Sequence, residues 1–486
     1  MVFNSYGFLL FFPSVLLLTR VCPLKWRNGL LLLASYLFYA SWGKRWCVLL
    51  LGITILVYVL GLLLERKRRK YLFLLGLLGT LGALLAFKYL DFGLYSLNAL
   101  LTKLGLGAPL PRVSLLQPAG ISFFTFQAAG YLIDVYKGKY KPEKNFLRLA
   151  LFVSFFPQIL SGPIGRGDQL LPQYEKLQKA DFSQLRRGFL ILTWGFFLKL
   201  CIADRAAILV NTVYGSYESY SGIFLVFATL VYALQIYGDF AGYSYMAIGA
   251  AEMLGIHLPK NFDTPYFAQS IQEFWRRWHI SLSTWFRDYV YFPLGGSRCA
   301  VWKKYRNVLV VFLVSGLWHG AMWNFVVWGA IHGLYQIFGG ITKPLREKML
   351  NALRVDRETA SYRLFRMALT FLLVDFAWLF FRADGLGAAI AMLRVIFTNL
   401  TPTALVGEAF YTMGLDRQEF WALLLCTGGM TLIDALRYRG HGITEWFGRQ
   451  NWLFRELALA AFMLIIITFG IWGNGFDASS FIYFKF

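Results

Sequence analysis

Two histidines, His279 and His319, lie 40 positions apart and are the side chains best suited to acid–base chemistry. The first sits in QEFWRRWHISLSTWFRDYVYFPLGG, too charged and aromatic to cross a bilayer; the second sits in LVSGLWHGAMWNFVVWG, apolar on both sides of its imidazole. Holding a polar ring near membrane depth is costly, so such a residue is a functional candidate by default. Glycines flank the Leu317-Trp318-His319 stretch, and Trp318 and Trp323 supply rigid walls. A desolvated imidazole there favours its neutral, basic form and suits a general base that takes a hydroxyl proton. The competing reading is an interhelical hydrogen bond with no chemistry.

Helical spacing puts Trp275, Trp278, His279 and Leu282 on one face, with Arg276, Arg277, Arg287 and Asp288 elsewhere. The competing reading is an amphipathic helix lying in the interface. Trp318, Trp278, Arg287, Asp288 and Asp239 are the expected lining of a site built on the two histidines. His332 reads as a packing or capping residue.

Other chemistries lack their motifs. There is no HExxH, no carboxylate cluster at ligand spacing beside the histidines, no GxSxG elbow and no phosphate-binding glycine loop. No metal and no bound cofactor is therefore expected. The five cysteines, without CxxC spacing, read as apolar fillers. A base without an internal nucleophile points to transfer onto an external hydroxyl.

These residues must be held by membrane elements. The 486-residue chain is 58% hydrophobic and 15% charged, against roughly 25% charged in soluble domains. Its apolar runs are continuous rather than alternating, which predicts an all-α polytopic protein and not a barrel. Runs fall near 4–19, 29–42, 46–64, 71–90, 118–136, 146–162, 188–210, 221–253, 307–340, 364–382, 386–399, 418–436 and 453–473, or roughly eleven to thirteen crossings of about twenty residues. The N-terminal run, with no basic n-region or cleavage site, is expected to be a retained first transmembrane helix. Glu65-Arg66-Lys67-Arg68-Arg69-Lys70 marks a cytoplasmic turn, placing the N-terminus outside. The +22 net charge follows mainly from this positive-inside bias, and no nucleic-acid motif accompanies it. Pro and Gly interrupt the pattern at QILSGP (158–163) and YGDFAGYS (237–244), predicting helix breaks at membrane depth, the second within a span. Such breaks also suit a transporter of a polysaccharide or its precursor, although the two halves show no convincing similarity.

Several blocks together resemble the membrane-bound O-acyltransferase (MBOAT) superfamily, in its alginate O-acetyltransferase branch. They are GISFFTFQAAGYLIDVYKG (120–138), FFPQILSGPIGR (155–166), LKLCIAD (198–204), YGDFAGYSYMAIG (237–249), NFDTPYFAQSIQEFWRRWHISLSTWFRDYVYFPLGGSR (261–298), GLWHGAMWNFVVWGAIHG (316–333), FAWLFFRA (376–383) and the terminal FIYFKF. The resemblance implies a ring of roughly 11–13 helices around a thinned central funnel, with re-entrant or interfacial helices. It implies one membrane domain over 1–486: N-terminal helices to 112, a core over 113–383 and C-terminal helices beyond. It makes His319 the catalytic histidine and His279 its second histidine. It implies acetyl-CoA as donor substrate, a multi-pass place in the bacterial cytoplasmic membrane among lipid, and an SGNH-type acetyltransferase outside that O-acetylates a polysaccharide such as alginate. The related branch implies instead D-alanyl transfer to teichoic acid.

The C-terminal segment DASSFIYFKF reads on composition as an interfacial aromatic anchor. The resemblance gives Tyr483 another role, carrying the acyl group across. A phenol's pKa near 10 is close to a thiol's 8.5, so an aryl ester keeps much of a thioester's transfer potential.

Overall fold

The computed structural model describes residues 1–106, 110–113, 115–176, 178–405 and 408–472. Tyr483 and the rest of the C-terminal segment lie outside the described residues. Regular elements among the described residues are helical. Among the described residues six helices are long and apolar enough to cross a membrane: Lys44–Arg66, Lys70–Lys103, Gly222–Met253, Ala360–Arg382, Arg417–Tyr438 and Trp452–Phe469. A bent pair, Trp323–Ile341 with Lys343–Ala352, adds a seventh if counted as one span. Other apolar runs correspond to shorter helices such as Tyr6–Val21 and Leu386–Thr398. The protein is a multi-pass, all-helical membrane protein.

The chain packs as two compact units, and the first comprises Met1–Leu192 with Ser244–Pro259. Within it α1 (Lys44–Arg66), α2 (Lys70–Lys103) and α3 (Ile121–Lys137) pack against one another. The Phe73 and Tyr136 rings stack at 4.2 Å between α2 and α3. Arg27 is buried here, its guanidinium donating to the carbonyls of Gln178 and Leu254. Arg187 pairs with the buried Glu252 carboxylate, which the His257 ring also meets at 2.5 Å.

The second unit comprises Thr193–Tyr243 and the described residues from Lys260 onward. Helix α4 (Phe182–Phe196) passes through a wide turn, Phe197–Ala203, into α5 (Asp204–Gly215), and α6 runs Gly222–Met253. The YGDFAGYS stretch does not break α6, contrary to the sequence expectation. Its glycines serve close approach instead. A Cβ on Gly238 would lie 2.9 Å from the Leu198 carbonyl oxygen, and one on Gly242 equally close to that of Gly195. Small residues let two helix backbones touch where no hydrophobic effect drives them together.

Short helices α7 (Ile271–Arg277) and α8 (Ile280–Phe286) follow, then α9 (Val301–His319), α10 (Trp323–Ile341), α11 (Ala360–Arg382), α12 (Arg417–Tyr438) and α13 (Trp452–Phe469). The 307–340 apolar run therefore folds as a hairpin of two helices. A Cβ on Gly316 of α9 would lie 2.2 Å from the Phe325 carbonyl oxygen, and one on Gly329 of α10 equally near that of Phe312. This glycine contact locks the hairpin whose first arm ends at His319.

Candidate active site

His319 is the last residue of α9, and the Gly320 amide closes the helix on the Gly316 carbonyl at 3.2 Å. Its ring meets Trp318 and Trp328 edge to face, each at 5.0 Å, and Phe381 of α11 at 5.4 Å. All four residues are buried. Three helices thus wall the imidazole on several sides with rigid aromatic rings.

His279 arrives differently. The single helical face read from Trp275, Trp278, His279 and Leu282 does not exist, because the chain breaks between α7 and α8. His279 sits at the break in the left-handed region, φ 44° and ψ 54°. A non-glycine residue held there costs on the order of 1–3 kcal/mol, and such outliers cluster at functional sites. No Gly or Pro flags the position, so the sequence pattern runs smoothly across it. Long-range hydrogen bonds hold the break. The Ile280 amide donates to the Asn261 carbonyl at 2.9 Å, and the Ser281 hydroxyl to Asn261 Oδ1 at 2.9 Å. The Asp263 amide donates to the Arg277 carbonyl, while the Arg277 guanidinium donates to the Asp263 carbonyl and the Thr264 hydroxyl at 3.1 and 3.2 Å.

The break turns a fully buried imidazole against Phe240 of α6, rings edge to face at 4.6 Å, and toward Trp318 at 5.7 Å. The centroids of His279 and His319 are 6.2 Å apart, at an interplanar angle of 49°. One small reacting group between them would touch both rings, the geometry needed for one base and one orienting or hydrogen-bonding partner.

The other expected lining residues separate. Trp318 is beside both histidines, its ring 5.7 Å from that of His279 and 5.0 Å from that of His319. Trp278 is buried beside the break, 5.0 Å from Phe262, 5.1 Å from Trp378 and stacked on Phe274 at 5.5 Å, and it forms a wall rather than a ligand group. Arg287 and Asp288 pair with each other at 2.9 Å, the arginine side chain 55% exposed. Asp239 is buried in an ion pair with Lys199 at 2.7 Å. Arg277 is committed to Glu273 at 2.9 Å, to the Asp263 carbonyl and to the Thr264 hydroxyl. His332 is fully buried, accepting from the Trp275 indole N–H at 3.3 Å, within the same aromatic cluster.

Sequence reasoning missed Phe240, Trp328 and Phe381. Trp328 carried a usable signal, standing one helical turn before His332 on the arm that pairs with His319. Phe240 and Phe381 lie within the quoted blocks 237–249 and 376–383, but nothing in their spacing sets them beside the histidines, because their roles depend on which helices meet. Among the described residues no three His, Cys, Asp or Glu side chains gather as metal ligands would.

Residues 143–368 match the family model described as MBOAT, membrane-bound O-acyltransferase family. The chain is 39% identical over 405 residues to the "probable alginate O-acetylase AlgI" of Azotobacter vinelandii, covering 82% of this chain and 78% of that protein. It is 35% identical over 394 residues to the "peptidoglycan O-acetyltransferase" of Helicobacter pylori, covering 75% and 72%. With the "teichoic acid D-alanyltransferase" of Streptococcus thermophilus it shares 34% identity over 237 residues, 46% of this chain and 56% of the other.

Proposed function

The chain belongs to the membrane-bound O-acyltransferase family, and from that premise we propose that it moves an acetyl group from acetyl-CoA toward an exported polysaccharide of the alginate type. It is an O-acyltransferase of a multi-pass membrane protein class; the donor, direction and acceptor are the proposed part. The observation that carries the reading is the convergence of His279 and His319, from separate elements, on one buried aromatic site.

In this reading the thioester carbonyl lies beside His319. An acceptor hydroxyl oxygen attacks it while His319 takes the hydroxyl proton. The new C–O bond forms, the C–S bond breaks, and the departing thiolate takes the proton back from His319. His279, or a nearby indole N–H, hydrogen-bonds the developing oxyanion, an effect worth roughly 3 kcal/mol for one good donor. Bulky walls exclude water and so limit hydrolysis.

The relatives named as alginate O-acetylases support a polysaccharide acceptor; its place outside a bacterial cytoplasmic membrane and an SGNH-type partner that reaches it are parts of the proposal. Tyr483 is the proposed carrier of the acetyl group between donor and partner. The test incubates purified protein with labelled acetyl-CoA and reads label by intact mass and peptide mapping. Label on Tyr483, lost in Tyr483→Phe and absent in His319→Ala, is expected. Label elsewhere, with acetylation of polysaccharide surviving in Tyr483→Phe, overturns the carrier role. A protein that ignores acetyl-CoA but takes D-alanine from a carrier protein belongs with the teichoic acid enzymes instead.

A further inference from the structure

A second polar cluster includes the α6 residue that precedes Phe240, the ring that meets His279. Lys199, in the wide turn between α4 and α5, reaches Asp204 Oδ1 and Asp239 Oδ1, each at 2.7 Å. The three side chains are 2–4% exposed. Asp239 belongs to α6, an apolar span. One ammonium and two carboxylates in such a place are expensive, and ion pairs of this kind are weak devices for stability alone.

The pairs differ in reach. Lys199–Asp204 links neighbouring turns of one segment and orients the lysine. Lys199–Asp239 ties that segment to α6, at the level where Gly238 and Gly242 bring the two backbones together. The next residue, Phe240, points its ring at His279, 4.6 Å away, and at Phe262, 5.0 Å away. Phe262 in turn meets Trp278, the residue before His279. Of two consecutive residues in α6, Asp239 is therefore held by charge while Phe240 presents His279's wall.

We propose that Lys199, Asp204 and Asp239 are positioning residues for His279, acting through Phe240. The inference rests on the acyltransferase reading above for its kinetic part, but its structural part stands alone. The Phe240 ring meets the imidazole edge to face at 4.6 Å, so where that wall stands sets where the imidazole stops on its side. Misplacement by about 1 Å remote from the chemistry can cost on the order of 10²-fold in rate.

The experiment uses the full-length protein in detergent or vesicles, with Asp239→Asn, Lys199→Met, Asp204→Asn and Phe240→Leu. Acetyl-CoA turnover is split into kcat and KM, and histidines are modified with diethylpyrocarbonate and read by peptide mass. Exposed His257 and His441 are the internal positive controls, and fully buried His332 reports on the surrounding core. Expected is a kcat drop of about 10- to 100-fold in Asp239→Asn and Phe240→Leu with KM within about twofold. Lys199→Met should be worse and Asp204→Asn mildest. In the affected variants His279 becomes modified while His332 stays protected.

Unchanged kcat and a protected His279 in both Asp239→Asn and Phe240→Leu overturn the proposal. So does joint exposure of His279 and His332 in Phe240→Leu, which marks loosening of the whole core. Should Asp239→Asn fail to fold, Phe240→Leu decides alone, since it touches no charge. If the wild type turns over no acetyl-CoA, the functional reading fails, and the modification pattern still decides the positioning.

Discussion

The two histidines are held by opposite means. His319 ends a helix whose partner arm follows after three residues, and glycines 316 and 329 let the two backbones meet. Apart from Phe381 of α11, the rings and glycines that fix it lie between Phe312 and Gly329. His279 stands at a left-handed break between two seven-residue helices, held by Asn261, Asp263 and Thr264 from upstream and walled by Phe240 from α6. Helices that short have little stability of their own. One histidine is placed by local packing, the other by distant groups acting on a strained backbone. A base that must meet its proton donor repeatedly suits the first kind of mounting, and a group that orients or hydrogen-bonds a transient oxyanion suits the second.

The largest expected effect tests whether the rigidly mounted ring is the base. His319→Ala should lower acetyl transfer from acetyl-CoA by about 10²- to 10⁴-fold, the range for losing a general base. Membrane insertion and the thermal transition should change far less. Near-normal turnover would assign the base elsewhere and remove the asymmetry between the two sites.

Breaking the mounting itself comes next. Gly316→Val places methyls where a Cβ already lies 2.2 Å from the Phe325 carbonyl oxygen. A backbone atom cannot step aside as a side-chain tip can, so the cost should be about 3 kcal/mol or more. Detergent-solubilised protein should melt well below wild type or fail to accumulate. A variant of normal stability would show that the glycine contact does not hold the hairpin.

How legible these arrangements were follows from the same contrast. The apolar runs marked most helices, because bilayer thickness writes itself directly into sequence length. His319 was legible for a related reason: its glycines, tryptophans and apolar flanks sit in one stretch. The α7–α8 break was not, since residues 274–285 keep an unbroken helical pattern and the capping groups lie upstream, at Asn261 to Thr264. In α6 the error ran the other way. Glycines at 238 and 242 read as a break when considered within one helix, and as a contact surface once Leu198 and Gly195 are opposite them. Glycine specifies closeness or flexibility according to what stands across from it, and a single chain read in order does not show what does.

The distant mounting of His279 makes a prediction of intermediate size. Asn261→Ala removes the acceptor for the Ser281 hydroxyl and leaves that buried group short of its partner. Arg277→Ala removes the donors to Asp263 and Thr264. Each should cost about 1–3 kcal/mol. Turnover should fall more than global unfolding explains, with His279 rather than His319 becoming accessible to chemical modification. Equal exposure of both rings would mean that the two mountings are not independent.

The smallest effect separates the arginines of this region. Arg287 pairs with its own sequence neighbour Asp288 at 2.9 Å, and its side chain is 55% exposed. A solvated pair of that kind is screened and contributes about 0–1 kcal/mol at most. Arg287→Ala should therefore melt with the wild type, while Arg277→Ala does not. An arginine whose hydrogen bond is to its own sequence neighbour can turn to a donor's phosphates at little structural cost. Arg287→Ala should accordingly raise KM for acetyl-CoA by a few-fold at low salt, with the difference shrinking as ionic strength rises and kcat unchanged. A change in kcat at constant KM would instead place Arg287 among the groups that hold His279, and would extend the strained mounting beyond α8.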